Sequence, residues 1–260
     1  MRFGFASAGW AGRIPAVSDG ADNLYDTARQ VLDTERRLGG VFLPAGQTLP
    51  GESAGNEAGP GDAQDKAAAL ATLEADAKQC TRCGLCRGRN NVVFGEGDPD
   101  ADLVFIGEAP GQEEDRQGRP FVGRAGELLT KMIQAMGLTR EDVYIANVLK
   151  CRPPNNRTPG ADEISACWDH LVAQLAVIRP KVIVTMGNPA TKTMLDTSTG
   201  ITRLRGRWQS LPMIGEGLGG TAVMPTFHPA YVLRQYTADV RGKVWSDLQQ
   251  VMDALGLPRT

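Results

Sequence analysis

The sequence is poor in residues that most often carry side-chain chemistry or cross membranes. It has two histidines in 260 residues, and aromatic residues make up 6% of the chain. No segment approaches the roughly 20 consecutive apolar residues that a transmembrane helix needs. The first residues, MRFGFASAGWAG, lack the apolar run of about 7–15 residues of a secretory signal. These absences predict a cytoplasmic protein that does not span a membrane.

Neither sign of charge dominates, since 28 Lys and Arg stand against 30 Asp and Glu. The net charge of −2 gives no support to a general attraction for polyanions, although a total does not describe any one face. The five cysteines indicate free thiols or metal ligands rather than disulfides, because a reducing compartment keeps thiols free. Apolar residues make up 42% of the chain, which is enough for one large core.

Composition divides the chain into an extension, residues 1–75, and a main domain, residues 76–260. Within the extension, residues 23–38 have helical apolar spacing, and Gly39 and Gly40 follow as a stop signal. Residues 44–65 have linker composition. The extension either adds only solubility and weak contacts or docks a partner protein.

In the main domain, short apolar runs alternate with segments of helical periodicity, which is typical of a parallel sheet covered by helices. An alanine-rich helix leads from Asp65 to Cys80. We predict an α/β fold, a three-layer αβα sandwich around a mainly parallel four-stranded sheet. The predicted strands are 103–106, 143–148, 182–186 and 222–227, and the predicted helices are 125–136, 162–178, 189–195 and 240–255.

Three elements converge on one edge of this sheet, where ligands bind in such folds. The glycine-rich GEAPG at 107–111 follows the first strand, Asn147 ends the second and His228 follows the fourth. GEAPG either offers backbone N–H groups to a ligand or is a tight turn. Phe121 lies in a loop, where it either stacks on a flat ligand or fills the core. The other histidine, His170, lies in a predicted helix and is expected to be a surface or packing residue.

The cysteines form a ligand pattern that joins two distant segments. Cys80 and Cys83 make a CxxC pair, whereas Cys151 and Cys167 come much later. A [4Fe–4S] cluster binds four thiolates, and structural zinc binds four Cys or His ligands. The spacing fits both, and unligated buried cysteines are a third interpretation. Cys86 extends the pair to CxxCxxC, so five cysteines compete for four positions.

In ITRLRGRW, Arg203, Arg205 and Arg207 recur at a spacing of two. In an extended segment they would share one face and form a basic stripe. The stripe is either a solvated face or a contact for phosphates.

Taken together, the cysteine arrangement and four motifs resemble the family 4 uracil-DNA glycosylases, the iron–sulfur type. The motifs are GEAPGQEED, GRPFVGRAG, NVLKCRPPNNR and HPAYVLR, and the resemblance covers about residues 77–255. It implies an enzyme of base excision repair that flips uracil out of single- or double-stranded DNA and hydrolyses its N-glycosidic bond. The alternative is a non-catalytic iron–sulfur module that binds DNA and recruits a replication or repair partner.

The resemblance also assigns the cofactor. It implies a [4Fe–4S] cluster bound by Cys80, Cys83, Cys151 and Cys167, with Cys86 outside the ligand set. The cluster would organise a DNA-facing surface rather than carry electrons. The basic residues expected on that surface are Arg82, Arg87, Arg89, Lys150, Arg152 and Arg157.

For the pocket, the resemblance implies that Phe121 stacks on the flipped uracil, Asn147 reads its polar edge and His228 lies at its O2. The first motif would contribute Gly107, Ala109 and Gly111 to substrate binding, and the proposed catalytic residues are His228 and Glu108.

One departure affects the attacking water. The best-studied glycosylases position water with an Asp where this chain has Ala109, so Glu108 and Glu114 are the carboxylates that remain in that loop.

DNA contacts are expected from two further segments. Leu233 and Arg234 would fill the gap left by the flipped base, and Arg203, Arg205 and Arg207 would contact phosphates. The enzyme is expected to act as a monomer.

Overall fold

The computed structural model describes residues 60–215 and 217–258. The predicted helix at 23–38 and most of the linker at 44–65 lie outside this range. The division of the chain at residue 75 therefore stays a prediction. The alanine-rich helix before Cys80 is present and begins at Pro60.

Within the described residues, six strands form one sheet in the order β1-β3-β2-β4-β6-β5. The strands are β1 (Glu96–Gly97), β2 (Leu103–Gly107), β3 (Tyr144–Asn147), β4 (Val182–Met186), β5 (Gln209–Ser210) and β6 (Ala222–Thr226). The four inner strands are parallel, as predicted, and the two edge strands pair antiparallel to them. The predicted strand number of four was wrong because a two-residue edge strand is too short to show periodicity.

Eight α-helices connect and cover these strands in the described part of the chain. They are α1 (Pro60–Lys78), α2 (Gln112–Gln117), α3 (Arg124–Ala135), α4 (Ala161–Ile178), α5 (Asn188–Leu195), α6 (Ile201–Leu204), α7 (Pro229–Arg234) and α8 (Ala238–Leu255). None of them is both long and apolar enough to cross a bilayer.

Strand β2 shows why the sheet is covered on both faces. All five of its residues are buried, and successive side chains enter two different apolar cores. Val104 and Ile106 pack with residues of α1 and α4, whereas Leu103 and Phe105 pack with residues of α3 and α8. A continuous apolar run therefore forms a strand with helices on both sides, and the predicted three-layer sandwich is confirmed.

Candidate active site

A cleft of about 720 Å³ opens at the carboxyl ends of the parallel strands. Its walls come from the loop after β2, the end of β3, the turn after β4 and the segment after β6. Glu108, Ala109, Gly111, Asn147 and His228 all line it. The convergence predicted from the strand order is therefore confirmed.

Phe121 and Asn147 meet over Gly107, the last residue of β2. A Cβ atom on Gly107 would lie 2.4 Å from both the Phe121 Cζ and the Asn147 Oδ1, so only glycine fits. The Phe121 ring is 5.6 Å from the His228 ring between centroids, with an interplanar angle of 32°. The aromatic, amide and imidazole side chains predicted to form one pocket thus lie side by side.

The backbone at Phe121 has an unusual conformation. Its φ is +51°, a left-handed value that costs a bulky residue about 1–3 kcal/mol. Glu114 accepts hydrogen bonds from the next two backbone N–H groups, at Val122 (3.0 Å) and Gly123 (2.8 Å). The α2 helix therefore fixes this loop through one carboxylate.

Asn147 carries the clearest sign of a ligand site. Its side chain is buried, yet the Oδ1 atom has no hydrogen-bond partner among the described residues. An unpaired buried polar atom costs free energy and calls for an explanation. Lys150 donates to the main-chain oxygen of Asn147 (2.9 Å) and not to its side chain. Asn147 lines the cleft, so its side-chain amide can bind a ligand there.

His228 is a neutral imidazole that offers one donor. Burial, with a smaller contribution from Arg234, lowers its pKa to about 4. Its Nδ1 accepts the Ala230 N–H at 3.1 Å, where His228 caps the first turn of α7. The single proton is therefore on Nε2, which can donate without the ring being charged.

Glu108 follows β2 directly and is half-buried in the cleft wall. Burial raises the pKa of its carboxyl above the ordinary value. The neighbouring Ala109 has no group that could orient water, so Glu108 is the first carboxylate after β2 in the cleft wall.

A second pocket lies beside the cleft and is formed by both cysteine-bearing segments. Its polar lining consists of Cys80, Cys83, Cys86, Cys151 and Cys167 with Arg82, Arg89, Lys150 and His170. No three His, Cys, Asp or Glu side chains in the described residues are grouped so as to hold a single metal ion.

Several N–H donors point at the sulfur atoms of this pocket. The Lys150 N–H lies 3.3 Å from the Cys167 Sγ, and the Arg89 Nη1 lies 3.3 Å from the Cys151 Sγ. Arg82 pairs with Asp169, and its buried Nε and Nη2 have no partner within hydrogen-bond distance in the described residues, although Cys80 lies near enough to interact with the guanidinium. The pocket thus has surplus donors, and an anionic group would satisfy them.

Burial also acts on the thiols themselves. It raises the pKa of Cys167 to about 11 and the pKa of Cys151 above its usual value. Both cysteines are therefore neutral thiols unless a cation binds them.

The comparisons with known proteins agree with this arrangement. A model of the uracil DNA glycosylase superfamily matches residues 94–249. The chain is 50% identical over 174 residues to a type-4 uracil-DNA glycosylase of Thermotoga maritima, covering 66% of this chain and 88% of that protein. The chain belongs to the type-4 uracil-DNA glycosylases.

Two further type-4 relatives are also similar. The one from Archaeoglobus fulgidus is 44% identical over 181 residues, which is 68% of this chain and 88% of the relative. The one from Saccharolobus solfataricus is 43% identical over 185 residues, which is 69% of this chain and 83% of the relative. The family resemblance of the motifs is confirmed.

The prediction that Arg203, Arg205 and Arg207 share one face of an extended segment is wrong. Residues 201–204 form the single turn of α6, so the segment is not extended. Arg205 pairs with the fully buried Asp247 of α8 and donates to the Lys243 main-chain oxygen (2.7 Å). Only Arg203 and Arg207 are exposed.

The basic surface predicted around the cysteines also needs correction. Lys150 is 1% exposed and points into the protein, where burial lowers its pKa to about 7. Arg82 pairs with Asp169, and Arg157 pairs with Glu163. Arg89 donates to the Cys80 and Lys78 carbonyl oxygens. Arg152 donates to the Asn156 Oδ1 (2.7 Å), so five of the six expected side chains have partners in the described part of the protein.

Leu233 and Arg234 belong to α7 rather than to a loop. Arg234 is exposed and lines the cleft, whereas Leu233 is partly buried. Two residues that support the site, Glu96 and Arg140, were not predicted. Arg140 donates to the Phe121 oxygen, and Glu96 accepts from Arg140. Opposite charges far apart in sequence give no local signal, so only their contacts reveal them.

Proposed function

We propose that this protein excises uracil from DNA by flipping the nucleotide into the cleft and hydrolysing its N-glycosidic bond. The abasic site that remains would enter base excision repair. The observation that carries this proposal is the unpaired Asn147 Oδ1 beside the Phe121 ring. The names of the type-4 relatives support it.

Recognition would follow from the chemistry of the base. Uracil has an imide N–H that the Asn147 Oδ1 can accept, and cytosine has no hydrogen at that nitrogen. The Phe121 ring provides a flat apolar face for stacking. These contacts would offset the cost of unstacking the base, which is about a few kcal/mol.

Bond cleavage would place negative charge on uracil O2. A donor fixed in advance toward that oxygen stabilises the transition state more than the ground state. The neutral His228 ring meets this need through its Nε2–H. Glu108 would orient the water that attacks the sugar C1′, because Ala109 carries no polar group.

We propose that the second pocket holds a [4Fe–4S] cluster, as the resemblance of the cysteine pattern implies. Five cysteines from the two segments line this pocket, and so does Arg82, whose buried Nε and Nη2 have no hydrogen-bond partner among the described residues. Cys80, Cys83, Cys151 and Cys167 would be the ligands. When bound, the cluster would join the two cysteine-bearing segments. Cys86 lines the same pocket, so its exclusion stays a prediction.

Single-turnover excision on a uracil-containing oligonucleotide tests the pocket. We expect Asn147→Ala and His228→Ala each to lower the rate about 10²–10³-fold, because each removes one fixed polar contact to the base. Gln134→Ala, an exposed amide on α3, is the control and should match the wild type. Wild-type rates in both pocket variants, with the fold intact, would contradict the proposal. No excision by the wild type would favour the non-catalytic module.

Metal analysis of protein prepared without oxygen tests the cofactor. We expect iron and acid-labile sulfide, and broad visible absorbance from thiolate-bound iron. Cys151→Ser should lose the iron, whereas Cys86→Ser should keep it. Zinc in place of iron would reject the cluster, and iron loss in Cys86→Ser would show that the ligand set was assigned wrongly.

The partners would be uracil-containing DNA, single- or double-stranded, and a protein bound through residues 1–75. Cytoplasmic location and a monomeric state stay predictions from the sequence.

A further inference from the structure

We propose that Arg140 is a positioning residue of the base pocket. Its guanidinium would hold the backbone of Pro120 and Phe121, so that the Phe121 ring stays where uracil stacks. This inference rests on the function proposed above, since it assumes that uracil is the ligand. Arg140 itself does not line the cleft.

The need for such a residue follows from the left-handed conformation of Phe121. A bulky residue leaves this conformation unless surrounding contacts determine it. Val122 and Gly123, which follow Phe121, are held through their N–H groups by Glu114. The carbonyl groups before them need a separate donor.

Arg140 provides that donor. Its Nη2 lies 2.7 Å from the Pro120 oxygen, and its Nη1 lies 3.1 Å from the Phe121 oxygen. The same Nη1 is 3.2 Å from the Thr130 Oγ1 on α3. One planar cation thus joins two successive carbonyl groups of the loop to the helix behind it, which a single-point donor cannot do.

The contact is also buried and charge-balanced. The side chain of Arg140 is 14% exposed, and its Nε lies 3.0 Å from the Glu96 Oε1 on β1. The packing is tight, because a Cβ atom on Gly126 would lie 1.8 Å from the Phe121 oxygen. Strand β1 and helix α3 therefore fix the guanidinium from two sides.

The chain offers a matched control in Arg119. It pairs with the same Glu96, with its Nε 2.7 Å from Oε2, but its side chain is 59% exposed. Its side-chain hydrogen bonds are to Glu96 and not to the carbonyl groups of the loop. Arg119→Met thus removes a charge from Glu96 and leaves the loop contacts in place.

The experiment compares full-length wild type, Arg140→Met and Arg119→Met by two measurements. The first is hydrogen exchange of the peptide that covers residues 120–123, without DNA. The second is inhibition of excision by free uracil. In Arg140→Met we expect about tenfold faster exchange and about tenfold weaker inhibition, whereas Arg119→Met should match the wild type. Affinity for undamaged duplex DNA should be unchanged in both.

Equal exchange and equal inhibition in the two variants would overturn the proposal. If Arg140→Met does not fold, Arg140→Lys decides, since it keeps the charge beside Glu96 but reaches only one carbonyl group. Intermediate exchange in Arg140→Lys supports the proposal, and wild-type exchange rejects it. Failure of the wild type to excise uracil would reject the proposed function, while the exchange comparison would still test the role of Arg140 in the loop.

Discussion

The charge states of two residues in the cleft, His228 and Glu108, are set by burial in opposite directions. Burial disfavours the charged form of each, so it lowers the pKa of the imidazole and raises the pKa of the carboxyl. His228, with a pKa of about 4, is neutral throughout the physiological range. Glu108 is therefore the first of the two to gain a proton as the pH falls.

This order predicts the acid side of the pH profile. We expect the single-turnover rate to fall with decreasing pH as Glu108 becomes protonated, at a pH above the ordinary pKa of a glutamate. Glu108→Gln should be slow at all pH values and should lose this decline, because no carboxylate remains to protonate. An unchanged decline in Glu108→Gln would assign it to another group and contradict the role of Glu108.

Folding stability depends on His228 with a definite sign. The pKa of His228 in the folded protein lies below its ordinary value of 6.5. Its neutral form therefore contributes stability above that value, and the contribution is lost as the pH falls toward about 4.

At the scale of elements, Arg205 links α6 to α8 through Asp247 instead of making the expected contact with a phosphate. Gly206, with φ of +68°, turns the chain after α6, and its N–H donates to the Pro225 oxygen (3.0 Å). This turn directs Arg205 toward Asp247, which also accepts from Thr226 at 2.6 Å. The link thus ties α6 to the strand that precedes His228.

Breaking this link should destabilise the fold. We expect Arg205→Gln to lower the free energy of unfolding by about 3–5 kcal/mol, because Asp247 would stay buried without its cation. Arg203→Gln, an exposed change two residues earlier, is the control and should stay within about 0.5 kcal/mol of the wild type. Urea denaturation measures both. Equal stabilities would show that the pair contributes nothing and that Asp247 tolerates its loss.

On the scale of the whole molecule, a net charge of −2 must coexist with binding to DNA. Exposed cations are then the ones that matter: Arg124 and Arg157 are exposed and line the cleft, and Arg203, Arg207 and Arg234 are exposed as well. Arg234 lines the cleft itself.

The salt dependence of DNA binding tests these cations. If Arg203 and Arg207 each bind one phosphate, Arg203→Gln and Arg207→Gln should each reduce the salt slope by about 0.9 on duplex DNA and by about 0.7 on single strands. Discrimination of uracil from thymine should not change, because phosphates carry no base identity. The variant that carries both substitutions should lose twice as much. A salt slope equal to that of the wild type in this double variant would show that both arginines lie on a solvated face.

Much of this architecture was predictable, because parallel strands and the site at their carboxyl ends follow from local patterns. Continuous apolar runs marked all four inner strands, and strand order alone brought Asn147 and His228 together. The errors concern charged residues whose partners the sequence pattern does not reveal. Arg205 was predicted to be a surface cation because its partner, Asp247, lies far along the chain. Lys150 was predicted to be one because its acceptor is a backbone oxygen, which no sequence pattern indicates.

The separation of the cysteine pairs also affects how the protein is made. Cys80 and Cys83 leave the ribosome well before Cys167, and at roughly 5–20 residues per second the interval is on the order of 4–18 seconds. For most of that interval neither Cys151 nor Cys167 has been made. In the proposed cluster the fourth ligand would be available only after translation has passed Cys167, so iron and sulfide would have to be inserted after that point, or a carrier would have to protect the early thiols until then.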